Sequence, residues 1–235
     1  MYDAALLDLY GTLVNIRTDE SDPALWRALA AIYAERGAVW TAAELQTAYR
    51  LEVRRLEAES AATCPEIGID RVFFALYRQK GVAADDETVA KTAWRFRQLS
   101  TKHIRLYAGA PELLAALQKR GRVILLSNAQ RLFTVPELKM LDLWDRFDAV
   151  FLSSDYGCKK PDPAFFRVPL DAFGLDPKRC LMIGNDPFAD AAGARAVGMD
   201  ALCIRSATSP REAERTAYDL HHMDLRRVRR MLCGR

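Results

Sequence analysis

Short apolar runs stand at residues 4–9, 122–127, 148–153, 180–184 and 200–205. Between the later ones, over about 110–120, 131–142, 163–174 and 188–197, apolar positions recur every three or four residues. A run of four to eight apolar residues suits a strand buried on both faces, whereas the wider spacing puts one stripe on a helix. Their alternation predicts an α/β fold, a Rossmann-like, doubly wound parallel sheet with helices on both faces. Pro111, Pro163 and Pro177 stand near predicted helix starts. Gly121, Gly174 and Gly198 stand at predicted helix ends, where left-handed caps are expected.

No strand pattern is read between Asn15 and about Arg105. Helical spacing covers 23–36, 41–60, 69–80 and 85–100, broken at Gly37, Cys64-Pro65 and Gly81. This predicts an α-helical cap domain, residues 17–105, inserted into an α/β core made of 1–16 and 106–235. An insertion that leaves just after the first strand has both linkers at the carboxyl edge of the sheet, where ligands bind in such folds. It is placed to close over that edge as a lid.

Bulk properties narrow the partners. Half of the 235 residues are hydrophobic, 28% are charged and the net charge is +3. So small an excess gives no basic field that calls for nucleic acid. No apolar stretch nears the roughly 18 residues that span a membrane, and no basic-then-apolar leader opens the chain, so a cytoplasmic, soluble protein is expected. Cys64, Cys158, Cys180, Cys203 and Cys233 are odd in number and lack metal-site spacing, which argues against a disulfide framework or zinc. The Arg226–Arg230 run reads as the solvated face of a helix capped by Asp224. His221 and His222, being adjacent, point opposite ways on a strand and are poorly placed to share a metal. Monomer and homodimer both remain open.

The chemistry lies at predicted strand ends. Asp8-Leu9-Tyr10-Gly11-Thr12 follows the first apolar run, a place where a carboxylate can serve as an exposed nucleophile. Ser127-Asn128 ends the second run, Lys160-Pro161-Asp162-Pro163 opens a helix, and Gly184-Asn185-Asp186 leads on to Asp190. With 119, 33 and 26 residues between Asp8, Ser127, Lys160 and Asp186, this order resembles the four motifs of the haloacid dehalogenase-like (HAD) hydrolase superfamily, over nearly the whole chain. The resemblance implies a phosphatase acting on a small phosphorylated metabolite, with Asp8 as nucleophile and Lys160 as the cation that holds nucleophile and phosphate. It further implies Ser127, Asn128, Gly11 and Thr12 around the phosphate, and Mg2+ among Asp8, Tyr10, Asp186 and Asp190. Magnesium suits such oxygen ligands, and a phosphate dianion among several carboxylates needs that cation and Lys160 to bind.

Two departures from the family pattern keep alternatives open. Its phosphatases usually have an Asp two residues after the nucleophile, which protonates the leaving oxygen and later activates water; here Tyr10 stands there. Such catalysis contributes about 10² to 10⁴ in rate, and a tyrosine with an ordinary pKa near 10 donates a proton but is rarely ionised to accept one. Asn185 stands where the metal-binding Asp is more common. Tyrosine at position 10 is similar to the 2-haloacid dehalogenase branch, whose halide leaving group needs no proton. That branch, however, tends to have a tyrosine where this chain has Phe166. Arg27 is the candidate for binding a substrate carboxylate, and Arg54, Arg55, Arg95, Arg97, Lys102, His103, Arg105 and the loop Cys64–Ile67 are further cap candidates. Arg95 and Arg97 cannot share a helix face. A catalytically weak, phosphate-binding protein is the third reading.

Overall fold

The computed structural model describes residues 2–210 and 218–234, so 1, 211–217 and 235 of the expected core lie outside the described residues. Six strands form one parallel sheet: β1 (Ala4–Leu7), β4 (Arg122–Ser127), β5 (Ala149–Leu152), β6 (Cys180–Gly184), β7 (Asp200–Ile204) and β8 (Tyr218–Leu220), in the order β5-β4-β1-β6-β7-β8. Leu7 pairs with Leu125 on one side and with Ile183 on the other, which puts β1 at the centre.

Alternate strand residues face opposite layers. Ala5, Leu7, Val123, Leu125, Leu181 and Ile183 pack with Leu113, Leu114 and Leu117 of α5 (Ala110–Gln118) and with Leu225 and Val228 of α9 (Leu225–Cys233). Ala4, Leu6, Ile124, Leu126 and Met182 pack on the other face with Phe165, Phe166 and Leu170 of α7 (Pro163–Phe173). The sheet is therefore doubly wound.

The inserted region holds α1 (Pro23–Ala34), α2 (Ala42–Ala58), α3 (Ile69–Gln79) and α4 (Asp86–Ser100). Asp22 caps α1, Asp85 caps α4, and Thr41 with Glu44 forms a capping box on α2. The four helices enclose their own apolar cluster, with Trp26, Tyr33, Phe73, Tyr77 and Phe96 buried. Phe133 of core helix α6 (Arg131–Met140) joins this cluster and stacks on Phe96 at 6.3 Å between centroids, an aromatic contact between cap and core.

The structure corrects three sequence expectations. The stretch after Asn15 and before Arg105 is not wholly helical: β2 (Val14–Thr18) and β3 (Thr101–Leu106) pair antiparallel as a ribbon through which the chain enters and leaves the cap. Arg17, Lys102, His103 and Arg105 interrupt its apolar positions, so it shows no apolar run. Strand β8 is a second addition. Gly174 and Gly198 adopt left-handed conformations (φ 60° and 82°), but Gly121 does not. Gly121 is needed for close approach instead, since a Cβ there would lie 2.2 Å from the Asp3 carbonyl oxygen.

Candidate active site at the carboxyl edge of the sheet

Asp8 follows β1 directly, and its backbone N–H still bonds the Ile183 carbonyl at 2.9 Å, so the carboxylate is carried on the sheet and not on a free loop. Gly11 then turns the chain at φ 85°, a conformation open to glycine. A side chain at Gly11 would also strike Asn185 and Thr208.

Three of the four quartet side chains expected to meet do so. Lys160 Nζ lies 2.9 Å from Asp8 Oδ1 and 2.6 Å from Asp190 Oδ1. Ser127 Oγ donates to Asp8 Oδ1 at 3.3 Å, and Thr12 Oγ1 donates to Asp8 Oδ2 at 3.1 Å. The Lys160 and Asp190 side chains are 1% and 4% exposed while Asp8 keeps 10%, so Asp8 is the member that opens to solvent. Burial acts to lower the Lys160 pKa, but the Asp190 and Asp8 carboxylates outweigh it and hold the ammonium above its usual range. Burial, with the like charge of Asp8, pushes the Asp190 carboxyl up to about 6 despite Lys160. Gly184 makes room for this arrangement, because a Cβ there would lie 2.0 Å from Asp190 Oδ2.

The fourth member, Asp186, is turned elsewhere. Its Oδ1 accepts from the Phe188 and Ala189 N–H groups and caps the π-helical turn Pro187–Ala192, which runs into α8 (Gly193–Ala196). The Asn128 side chain is engaged as well. Its amide clamps the backbone of Lys160, donating to the carbonyl at 2.9 Å and accepting from the N–H at 2.8 Å, so it positions the lysine.

Tyr10 departs furthest from expectation. Its hydroxyl donates to Glu137 Oε2 and lies 3.0 Å from Thr134 Oγ1, both on α6. Burial, then the charge of Glu137, raises the Tyr10 pKa well above the ordinary phenol range, so this side chain is a poor proton donor and a worse acceptor. The expected metal set of Asp8, Tyr10, Asp186 and Asp190 therefore does not converge. Among the described residues no group of three or more His, Cys, Asp or Glu is placed to hold a metal ion. Two oxygens share one hydroxyl neighbour. Thr12 Oγ1 is within 3.1 Å of Asp8 Oδ2 and 3.3 Å of Asn185 Oδ1, one hydroxyl proton against two acceptors. The Asn185 amide N–H groups point away to the hydroxyls of Ser206 and Thr208, each at 3.2 Å.

The cap candidates separate by burial. Arg27 and Arg95 are exposed, while Arg97 turns inward and pairs with Glu137. Phe166 is buried against Gly193 in the sheet's second apolar layer. The cap loop does reach the core: Glu66 accepts from Ser153 Oγ at 2.7 Å and Gln130 Nε2 at 3.0 Å, and Lys159 N–H bonds the Cys64 carbonyl at 3.0 Å. Sequence reasoning missed Glu137, Thr134, Gln130 and Ser153; the available signal was Thr134 and Glu137, three apart and so on one helix face.

Residues 2–198 match the model of the haloacid dehalogenase-like hydrolase family. The chain is 32% identical over 160 residues to a phosphoserine phosphatase of Thermus thermophilus, covering 68% of this chain and 63% of that one. With two further curated phosphatases covered to 56% and 47%, the chain spans about half to two thirds of the length of these relatives. In fold it is similar to a 2-haloacid dehalogenase from Pseudomonas syringae, with a TM-score of 0.68 at 21% identity, covering 97% of this chain and 98% of that one. It is likewise similar to a HAD phosphatase from Thermococcus onnurineus, with a TM-score of 0.62 at 19% identity over 99% and 98% of the two chains.

Proposed function

Because this chain belongs to the haloacid dehalogenase-like hydrolases, we propose that it is a phosphatase that cleaves a small phosphate monoester through an aspartyl-phosphate on Asp8. The observation that carries the reading is the Asp8 carboxylate, largely buried yet the most exposed member of the cluster, held by Lys160, Ser127 and Thr12 at the end of the central strand. Relatives named as phosphatases of phosphoserine and phosphoglycolate support the substrate class.

In this mechanism a carboxylate oxygen of Asp8 forms a bond to phosphorus as the ester P–O bond breaks. The departing oxygen draws its proton from solvent, because the Tyr10 proton is held by Glu137. Water then cleaves the acyl phosphate, restoring the carboxylate and releasing inorganic phosphate. Lys160 holds nucleophile and phosphate together, and Ser127 and Thr12 fix the carboxylate. Asp8 and Asn185, whose side-chain oxygens both lie within reach of the Thr12 hydroxyl, would hold Mg2+, which suits oxygen ligands and keeps waters; when bound it would offset the phosphate charge. Asp186, Asp190 and the Tyr10 hydroxyl are not in that set.

Turnover of an aryl phosphate, whose leaving group needs little protonation, tests the reading. Activity that is lost in Asp8→Asn and on chelation is expected. A 2-haloacid dehalogenase is the second reading, favoured by the engaged Tyr10 hydroxyl, because a halide leaves without a proton. Chloride release from 2-chloropropionate would decide for it. Neither activity would leave a phosphate-binding protein.

A further inference from the structure

Tyr10, Glu137 and Arg97 come from three separate pieces of the molecule and meet in one buried cluster. Glu137 is on core helix α6 and its side chain is 3% exposed. It receives the Tyr10 hydroxyl from the nucleophile loop on Oε2. From the last turn of cap helix α4 it receives Arg97, Nε on Oε1 at 2.6 Å and Nη2 on Oε2 at 3.3 Å. The Arg97 guanidinium also lies 5.4 Å from the Tyr10 ring and 5.3 Å from that of Phe133. A carboxylate this deep requires compensation, and removing either partner leaves a buried charge exposed to its full desolvation cost. Here the compensating cation belongs to the cap and a proton donor belongs to the loop that carries Asp8.

The backbone completes the link. Tyr10 bridges to Val14, the first residue of β2, and the β2–β3 ribbon leads into the cap and returns from it. Nucleophile loop, ribbon, cap helix and α6 thus form a closed circuit whose side-chain junction is Glu137. Lifting the cap would withdraw Arg97, leave Glu137 charged and uncompensated, and disturb the group that fixes Tyr10 two residues from Asp8.

We propose that Glu137 is a positioning residue that makes alignment of the nucleophile loop conditional on a docked cap. The activity arm of this idea rests on the hydrolytic reading of Asp8; the docking arm does not.

The test pairs amide hydrogen exchange with kinetics in the full-length protein, using Glu137→Gln, Arg97→Lys and Tyr10→Phe. Glu137→Gln is expected to speed exchange tenfold or more in the ribbon and the last turn of α4, with β4 and β6 unchanged. On an aryl phosphate its kcat should fall at least tenfold with KM within twofold. Arg97→Lys, which keeps the charge but loses the fork, should shift both readouts in the same direction by less. Tyr10→Phe should lower kcat without speeding ribbon exchange, and combining it with Glu137→Gln should add little further loss. A merely structural ion pair would instead speed exchange throughout the sheet and give kcat losses that multiply in the double variant, and either result overturns the proposal. If wild-type protein hydrolyses none of the substrates, ribbon exchange in Glu137→Gln decides alone, and an unchanged pattern is fatal. If Glu137→Gln does not fold, the opposed exchange patterns expected of Arg97→Lys and Tyr10→Phe carry the test, and identical patterns would refute it.

Discussion

Replacing Lys160 by methionine probes the charge balance on which the site depends. The ammonium sits 2.9 Å from Asp8 and 2.6 Å from Asp190 and is itself buried. With an effective dielectric of about 20, each contact is worth about 6 kcal/mol of Coulomb attraction, most of which offsets desolvation. Methionine conserves the stem but leaves two carboxylates in one dry cleft. Breaking a buried pair in this way costs about 3–5 kcal/mol. The cost must depend on pH in a stated direction. The folded-state pKa of Asp190 is already up at about 6 against an ordinary 3.8, and without Lys160 it must rise further. A carboxyl that holds its proton more tightly in the folded state contributes most at low pH and loses that contribution as pH rises through the raised pKa. The deficit of Lys160→Met should therefore be largest near pH 8 and shrink toward pH 5, and Asp190→Asn in the same chain should restore much of it at neutral pH. Urea unfolding at several pH values reads all three, and turnover should drop about 10²- to 10³-fold from lost electrostatic positioning. A cost below about 1 kcal/mol, or one that does not vary with pH, would show that Lys160 is not the compensating charge.

Other consequences are equally measurable. In the wild type, kcat/KM should fall on the acid side with an inflection near the raised Asp190 pKa of about 6, as the protonated carboxyl releases Lys160, and Asp190→Asn should lack that limb. Gly184→Ala places a methyl 2.0 Å from the Asp190 carboxylate; it should cost about 1–3 kcal/mol by overpacking and displace Asp190, so wild-type activity in that variant would contradict the assigned packing. Glu66→Ala removes the acceptor for Ser153 and Gln130 and should cost about 1–3 kcal/mol in urea unfolding. A loss near zero would mean that the backbone bridge between Pro65 and Cys158 alone holds the loop.

Where burial on both faces forces a continuous apolar run, as in Val123–Leu126 or Leu181–Ile183, strand position was legible. Strand β8 is three residues long and includes Asp219, which is too short for any periodicity to register. The ribbon did carry an alternation, Val14 with Ile16 and Ile104 with Leu106, but charged residues between them masked it. Asp8, Ser127 and Lys160 were legible because strand ends and a loop–helix junction bring them to one edge whatever their neighbours are. The direction of the Asp186 side chain was not legible because a short polar side chain next to a turn is first taken up by nearby backbone groups, and that of Asn128 because its partner, the Lys160 backbone, is 32 residues away. For Glu137 the spacing from Thr134 marked a shared polar helix face but not its partner, because Tyr10 is 127 residues distant.

The two departures from the family pattern act in the same direction. Tyr10 and Asn185 each place a neutral group where the resemblance expects a carboxylate, so the cleft holds Asp8 and Asp190 against Lys160, a formal charge of about −1 instead of −3. A phosphate dianion meets less repulsion there, and a divalent cation meets less attraction. Cation dependence should consequently be shallower than in a site with both acids, and Asn185→Asp should steepen it, lowering the magnesium concentration for half-maximal turnover. Because Asn185 Oδ1 and Asp8 Oδ2 share the single Thr12 hydroxyl, the added charge falls beside the nucleophile itself. If half-maximal magnesium stays the same or rises in that variant, the cation does not sit between these two residues.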